Sequence, residues 1–308
     1  MSTPEPSSPM NKTLNVGLIG VGLMGHGIAA NILKHGHSLM VLEHAGNQPL
    51  DSLRAAGVRT AQRPNDLAAQ VDLLLLCVTG SPQVEAVLLG EKDGALLGLR
   101  PGTVVIDLST AIPASTERLA ARVAQAGGRF MDSAMTRTPK EAAEGRLNLL
   151  VGADPALFEQ VRPLLACFAE NITLCGPVGS GHRMKLLHNY VSLGTVALVA
   201  EAAAHAERAQ VAPEVLVDVL AKGGGGGVAL ERLKPYLLAR DASGLRFAMS
   251  NALKDLGYYT QMAQDSGAAR AIAEGVQATY ERAVAQGSPD TLVPELVSLL
   301  AKAGDGVR

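Results

Sequence analysis

The stretch LNVGLIGVGLMGHGIAANILK, residues 14–34, decides the fold. Its first six residues, Leu14–Ile19, are apolar and predict a buried strand, and a helical pattern begins directly after the glycines that follow. Gly20, Gly22 and Gly25 have the spacing G-x-G-x-x-G. At this place Gly20 permits a tight turn, Gly22 lets backbone amides approach a ligand, and Gly25 lets helix and strand pack closely. The stretch therefore predicts a phosphate group at the first turn of the helix.

This turn, together with a carboxylate after the second strand, predicts a dinucleotide site. The second predicted strand, Ser38–Glu43, ends 18 residues after Gly25, where such folds place a carboxylate that binds ribose hydroxyls. Glu43 favours NAD because it repels a 2′-phosphate, and NADP stays possible because His44 partly offsets that charge. The alternative is a solvated charge at a strand end. The predicted cofactor ligands here are Gly20, Val21, Gly22, Leu23, Met24, Gly25 and Glu43.

Short apolar runs alternate with helical patterns from Leu14 to about Leu174, which predicts strand–helix units around a parallel sheet. Two further strands are predicted at Asp72–Val78 and Thr103–Leu108. Ligands of such a sheet lie at the carboxyl ends of its strands. The residues expected to flank the cofactor there are Val78, Thr79, Ser109 and Thr110, although hydroxyls at these places also serve as helix caps.

The pattern changes after Pro177, where strand-like runs disappear. We predict an α/β fold, with an N-terminal doubly wound Rossmann domain over residues 12–177 and an all-helical domain over residues 178–303. Gly179–Gly181 are expected to form the turn into a long helix that runs to about Ala209. Five glycines, Gly223–Gly227, are predicted to end a helix, and a flexible joint is favoured there over a ligand-contacting loop.

Composition excludes several classes of protein. The 308 residues carry 27 basic and 29 acidic side chains and only 3% aromatics, which argues against a nucleic-acid partner. The three cysteines form no C-x-x-C pair, so neither a disulfide framework nor a metal site is expected. Residues 1–13 lack an apolar leader core, and we expect no membrane span of about 18 apolar residues. A cytoplasmic protein with a small-molecule partner is predicted.

The segment GHRMKLLHNYVS, residues 181–192, carries the candidate chemistry. One helix face is formed by Lys185, His188, Asn189 and Ser192. The neighbouring positions are apolar, so this helix is predicted to be mostly buried, and a buried ammonium needs a partner or a task. The positive helix end and desolvation are expected to lower the pKa of Lys185 toward the range of proton transfer. A structural lysine in an ion pair is the alternative.

Four ordered motifs resemble the β-hydroxyacid dehydrogenase family, which includes 3-hydroxyisobutyrate dehydrogenases, tartronate semialdehyde reductases and sulfolactaldehyde reductases. They are Gly17–Gly25 with Asn31, Asp107–Thr110, Gly179–Lys185 with Asn189, and Lys254–Leu256. The resemblance implies Lys185 as general acid/base, with Asn189 in the same catalytic site. It also implies Phe247 and Lys254 beside the nicotinamide and Ser109 with Thr110 near its ribose. From the sequence alone, Lys254 fits a solvated surface lysine as well as it fits this cofactor-binding role.

Two departures from the family pattern concern the substrate. Many relatives read D-A-P-V-S-G-G where this chain has DSAMTRT, residues 132–138, which we expect to form a loop. Arg137 offers a guanidinium for an anionic group, although a surface charge is the alternative. His188 replaces an asparagine and either lines the substrate or is satisfied by its neighbours. The predicted substrate-binding residues are Ser133, Thr136, Arg137, Thr138, His188 and Ser192.

The sequence thus predicts an NAD-dependent oxidoreductase for a short β-hydroxy acid, of the 3-hydroxyisobutyrate or 2-hydroxy-3-oxopropionate type, and its semialdehyde. The expected partners are this small anionic substrate and further copies of the chain in a homodimer or homotetramer. A sulfolactaldehyde-type reductase stays open because the T-R-T segment is similar to the G-R-T segment of those enzymes. An imine reductase-like enzyme and a non-catalytic NAD(P)-binding protein are disfavoured because Lys185 is retained.

Overall fold

The computed structural model describes residues 14–288 and 290–303. The prediction of no apolar leader in residues 1–13, and the predicted domain start at residue 12, lie outside the described residues. Contacts divide the chain into two units, one ending at Lys185 and one beginning at Leu186.

The first unit alternates strands and helices. Its strands are β1 (Asn15–Ile19), β2 (Ser38–Leu42), β3 (Arg59–Ala61), β4 (Leu73–Leu76), β5 (Val104–Asp107), β6 (Arg129–Thr136), β7 (Leu147–Gly152) and β8 (Ala169–Gly176). Its helices are α1 (Leu23–Lys34), α2 (Asp51–Ala55), α3 (Pro64–Ala68), α4 (Ser81–Leu89), α5 (Pro113–Gln125), α6 (Pro139–Glu144) and α7 (Pro155–Leu165).

The strands form one sheet in the order β3-β2-β1-β4-β5-β6-β7-β8, parallel throughout except between β6 and β7. Strand β4 explains why the apolar runs are continuous. Leu73 and Leu75 belong to the apolar core on one face, and Leu74 and Leu76 to the core on the other. Both faces are therefore covered, as expected for a doubly wound sheet, and the predicted α/β fold is confirmed.

The prediction of a loop over residues 132–138 was wrong for most of its length. Asp132–Thr136 lie inside β6, because Asp132 pairs with Gly152 and Thr136 with Asn148 in an antiparallel ladder with β7. Only Arg137 and Thr138 lie outside the strand, before α6.

The second unit is helical. Its elements are α8 (Ser180–Arg208), which starts in the first unit, α9 (Pro213–Lys222), α10 (Val228–Ala239), α11 (Met249–Asp265), α12 (Ala271–Gln286) and α13 (Leu296–Ala303). Short 3₁₀ turns occur in both units at Ala95–Leu97, Ala242–Leu245 and Val293–Glu295. Gly223–Gly227 join α9 to α10. Leu193, Tyr236 and Tyr280 belong to an apolar core of this unit, separate from the two cores that cover the sheet.

Helix α8 is less buried than the sequence predicts. Leu186 and Leu193 are buried, but Met184, Leu187 and Val191 are 40%, 42% and 63% exposed within a single chain. The helix packs one face against its own chain and leaves the other uncovered. Among the described residues α8 alone has the length and apolar composition of a membrane span, criteria that core helices of soluble proteins also meet.

Candidate functional site

The three glycines between β1 and α1 have three different environments. Gly20 has a φ of +98°, and a Cβ there would lie 2.2 Å from the Cys77 carbonyl oxygen. A Cβ on Gly25 would lie 2.0 Å from the Gly20 carbonyl oxygen, whereas one on Gly22 would meet nothing within 4 Å. Gly20 and Gly25 therefore allow the turn and its packing, and Gly22 leaves open space beside the backbone.

The first turn of α1 fits an anionic group. No side chain caps it and its first turn contains no acidic residue, so its amides are not satisfied by side chains. Leu23 is exposed and Met24 half-buried at this end. Val21 differs, because its side chain is fully buried and its N–H donates to Asn47 Oδ1 at 3.2 Å. The turn fits a dinucleotide phosphate through Gly22 and the residues after it.

Glu43 lies directly after β2, beside a cavity. Arg54 Nη2 donates to its Oε1 at 2.9 Å, and Gln62 Nε2 donates to its Oε2 at 2.5 Å. Hydrogen bonds from Gln62, Thr60 and Arg54 hold the pKa of Glu43 below its ordinary value. The cavity measures about 390 Å³ and is lined by Glu43, His44, Ala45, Asn47, Gln48, Leu50, Arg54 and Gln62. The sequence pattern indicated the carboxylate but neither of its two partners.

The segments after β4 and β5 are tied to each other. The Val78 N–H donates to Ser109 Oγ at 3.1 Å, and the Ile112 N–H donates to Ser81 Oγ at 2.8 Å. Ser109 is buried, Thr110 half-buried and Thr79 exposed. The structure thus brings Val78 and Ser109 together at the carboxyl ends of neighbouring strands.

A buried carboxylate holds the start of α8. Asp132 is fully buried, its Oδ1 accepts the Gly179 N–H at 2.6 Å, and its Oδ2 accepts the His182 N–H at 2.8 Å. Lys185, half-buried, follows His182 by one helical turn. Neither Asp132 nor His182 was predicted as a site residue, although a histidine in an apolar helix indicates a buried polar partner.

Within the second unit, Asp255 joins two of the predicted catalytic and cofactor residues. Asn189 Nδ2 donates to Asp255 Oδ2 at 2.6 Å, and Lys254 Nζ donates to Asp255 Oδ1 at 2.6 Å. Lys254 is not a solvated lysine, since its side chain is only 21% exposed and its Nζ lies 4.8 Å from the centre of the Tyr258 ring. Asp255 was not predicted as a site residue, although it directly follows Lys254 in the sequence.

His188 and its neighbours extend this network. His188 Nδ1 lies 2.9 Å from Asn189 Oδ1. An amide oxygen only accepts, so Nδ1 carries the proton. Ser192 is half-buried on α8, one turn further on. Phe247 packs against the core of the second unit, and its carbonyl accepts the Val293 N–H at 2.9 Å. Of the residues predicted in this unit, the structure brings His188, Asn189 and Lys254 into one hydrogen-bonded chain.

The predicted substrate segment is divided between two environments. Ser133 is fully buried, and its Oγ has no hydrogen-bond partner in the part of the chain that is described. Thr136 Oγ1 accepts from Asn148 at 3.1 Å, and Thr138 caps α6 together with Glu141. Arg137 is four residues beyond Ser133, about 13 Å along an extended chain.

Arg137 has a backbone φ of +80°, which is rare for a residue other than glycine. Its guanidinium pairs with Glu170 and donates to the Arg146 carbonyl. It is therefore a paired residue rather than a solvated surface charge. Among residues 14–288 and 290–303, no group of three His, Cys, Asp or Glu side chains is placed to hold a metal ion.

The doubly wound sheet and the glycine turn define a dinucleotide-binding protein. Residues 15–176 match the model of the NAD-binding domain of 6-phosphogluconate dehydrogenase. Residues 179–300 match the NAD-binding model of NADP-dependent 3-hydroxyisobutyrate dehydrogenase. The chain belongs to the β-hydroxyacid dehydrogenase family and is an NAD(P)-dependent oxidoreductase.

Individual relatives agree on the family and differ in substrate. The chain is 32% identical to 2-hydroxy-3-oxopropionate reductase of Escherichia coli over 253 residues, covering 82% of this chain and 85% of that protein. It is 30% identical to NAD-dependent L-serine dehydrogenase of Pseudomonas aeruginosa over 279 residues, 88% of this chain and 93% of that one. A structure of Mycobacterium tuberculosis 3-hydroxyisobutyrate dehydrogenase with L-serine shares the fold, with a TM-score of 0.84, 23% identity, and coverage of 94% of this chain and 99% of that one.

Proposed function

We propose that this protein interconverts a short-chain β-hydroxy acid, of the 3-hydroxyisobutyrate or 2-hydroxy-3-oxopropionate type, and its semialdehyde, with Lys185 as the general acid/base. One observation carries the proposal. Lys185 follows His182 by three residues on α8, and His182 Nε2 lies 3.1 Å from the carbonyl of Ser109, in the segment after β5 where we expect the nicotinamide ribose. The Lys185 amine therefore belongs to a residue one helical turn along α8 from His182, which contacts the backbone of Ser109. This proximity supports a role for Lys185 beside the bound cofactor.

The chemistry needs one proton and one hydride. A bound nicotinamide cofactor would supply the hydride chemistry, which links the carbinol carbon of the hydroxy acid to the aldehyde carbon of the semialdehyde. In the oxidation the neutral amine of Lys185 takes the hydroxyl proton while the carbon–oxygen double bond forms. In the reduction its ammonium gives that proton to the aldehyde oxygen. Asn189 and Lys254 are proposed as further site residues of the second unit, where Asp255 fixes both side chains.

The anionic group of the substrate is proposed to bind at Thr136–Thr138, with Ser133 deeper in the strand. The positive φ of Arg137 supports this, because backbone strain of this kind is often retained at ligand-binding positions. Glu170 holds the guanidinium, so the substrate anion would share Arg137 with that carboxylate. A sulfolactaldehyde-type reductase is the second candidate, because a guanidinium also suits a sulfonate.

NAD is proposed as the preferred cofactor. Glu43 supports this, because hydrogen bonds from its neighbours keep its carboxylate charged beside the cavity that follows β2. A charged carboxylate accepts ribose hydroxyls and repels a 2′-phosphate.

We propose further that the protein is a cytoplasmic homodimer or homotetramer with neither a nucleic-acid nor a membrane partner. Supporting an oligomer, Met184, Leu187, Val191 and Leu198 are 40–71% exposed on one stretch of α8 in the single chain. Sedimentation in solution checks it: a species of 31.9 kDa alone contradicts the oligomer.

The test of function is turnover with methylmalonate, tartronate and succinate semialdehydes and with sulfolactaldehyde, using NADH and NADPH. Lys185→Ala is expected to lower kcat by about 10²–10⁴-fold and leave NADH affinity intact, because proton transfer is lost but the glycine turn is not. Lys222→Ala is the matched control, an exposed lysine paired with Asp218. Undiminished turnover in Lys185→Ala, or no turnover of any of these aldehydes by a protein that binds NADH, contradicts the proposal.

A further inference from the structure

A cluster of four fully buried polar side chains lies between β5, β6, α5 and the start of α8. Its members are Asp107, Thr116, Asp132 and His182. The reaction proposed above uses none of them directly. Burying two carboxylates and an imidazole costs free energy even when they are hydrogen-bonded, so the cluster calls for a functional explanation.

His182 is the centre of the cluster. Its Nε2 lies 3.1 Å from the Ser109 carbonyl oxygen, and its Nδ1 lies 2.7 Å from Thr116 Oγ1. A carbonyl oxygen only accepts hydrogen bonds, so Nε2 carries the proton. In the neutral imidazole, Nδ1 then accepts the Thr116 hydroxyl proton at 2.7 Å, in preference to the Ile112 carbonyl oxygen, which lies 3.2 Å from the same Oγ1. Asp107 Oδ2 and Asp132 Oδ2 each lie 3.9 Å from a ring nitrogen.

The two carboxylates hold the two segments that His182 connects. Asp107 Oδ1 accepts the Ser109 N–H at 2.9 Å, at the end of β5. Asp132 accepts the N–H groups of Gly179 and His182 itself, at the start of α8. The imidazole therefore closes a link from α8 to the backbone of Ser109, whose Oγ in turn accepts the Val78 N–H.

We propose that His182 is a positioning residue for cofactor binding: its Nε2–H fixes the Ser109 carbonyl and so sets the backbone of Ser109–Ala111 for the nicotinamide ribose. The inference rests on the proposed placement of the ribose at Ser109 and Thr110. Nε2 alone carries this role. The hydrogen bond that Nδ1 accepts from Thr116 anchors the ring but does not involve the backbone of Ser109–Ala111.

Two substitutions of His182 test the roles of its two ring nitrogens separately. The amide of glutamine reaches the place of Nε2, and the shorter amide of asparagine reaches only the place of Nδ1. We expect His182→Gln to bind NADH within about threefold of the wild type and His182→Asn to bind it at least about tenfold more weakly, since only the latter leaves the buried Ser109 carbonyl unpaired. Thr116→Val, which removes the Nδ1 partner, is expected to bind NADH like His182→Gln.

The readout is NADH fluorescence titration of each full-length protein without substrate, together with its melting temperature. A purely structural role lowers the melting temperatures of the Gln and Asn variants and shifts their NADH affinities equally. That result overturns the proposal. Amide exchange of the cofactor-free proteins is a second readout, and Ser109–Ala111 should exchange faster in His182→Asn than in His182→Gln.

A further measurement needs no variant. Nitrogen chemical shifts of the His182 ring in the wild type should show a proton on Nε2, and a ring protonated on Nδ1 alone overturns the proposal.

NADH titration measures cofactor binding and does not depend on proton transfer by Lys185. A protein that binds NADH with the expected variant pattern but turns over no hydroxy acid contradicts the proposed function and leaves the role of His182 standing.

Discussion

The buried carboxylates of the two units are held by different kinds of hydrogen bond. In the first unit Asp107 and Asp132 accept from backbone N–H groups at 2.6–2.9 Å. In the second unit Asn189 and Lys254 meet Asp255 through side chains alone, although Asn189 and Asp255 are 66 residues apart. Backbone partners cannot be removed by substitution, whereas side-chain partners can. A substitution can therefore break the first arrangement only at the acid, and the second at either partner.

The largest effect on stability is expected at Asp132. Asp132→Ala leaves the buried N–H groups of Gly179 and His182 unpaired and should lower the free energy of unfolding by about 2–5 kcal/mol. Asp154→Ala is the matched control, because Asp154 also accepts two backbone N–H groups, at 3.0 Å each, but at an exposed helix start. It should cost about 1 kcal/mol. Urea unfolding measures both, and equal losses would show that burial does not matter here.

A double-mutant cycle on Asn189 and Asp255 tests the side-chain arrangement. Each single alanine variant should lose stability, and the pair should show a coupling energy of about 1–3 kcal/mol because the two side chains share a hydrogen bond. The exposed pair Asp218 and Lys222 is the control, for which about 0–0.5 kcal/mol is expected. Additive losses at Asn189 and Asp255 would contradict a shared bond.

Glu43 distinguishes the two cofactors in the first unit. Glu43→Gln removes the negative charge, so the ratio of kcat/KM with NADPH to that with NADH should rise about tenfold. Asp51→Asn is the control, since Asp51 lies 4.0 Å from the same Arg54 but outside the cavity lining. A ratio unchanged in Glu43→Gln, or changed equally in both variants, would remove Glu43 as the selecting residue.

The smallest effect is a pH dependence from Asp107. Burial raises the pKa of this carboxyl, against an opposing effect of His182. The folded protein thus retains the proton to a higher pH than the unfolded chain, and the stability gained from that proton is lost as pH rises. The free energy of unfolding of the wild type, minus that of Asp107→Asn, should decrease from pH 3 to pH 8. A difference that grows with pH would contradict the raised pKa.

The features that the sequence predicted well depend on residues close together in the chain. The roles of Gly20, Gly22 and Gly25 follow from a turn of six residues, and the strand–helix alternation gave the doubly wound sheet. Residues 132–136 were expected to form a loop because their strand character depends on antiparallel pairing with β7, whose paired residues are 12 to 20 positions away.

Partners distant in sequence were not predicted. Glu170 pairs with Arg137 from 33 residues away, and Thr116 lies 66 residues from His182. Nor does helical periodicity alone show how many faces of a helix are covered, and for this reason the burial of Met184 and Val191 was overestimated.

The start of α8 determines where the chain can be truncated without disturbing the first unit. The strand pattern ends at Gly176, so a shortened protein that stops at Pro177 looks like a complete nucleotide-binding half. Such a fragment lacks Gly179 and His182, and Asp132 would lose both of its backbone donors. A transferable nucleotide-binding module, or a chimera built from it, must therefore carry the chain through Lys185, where the contacts divide the two units.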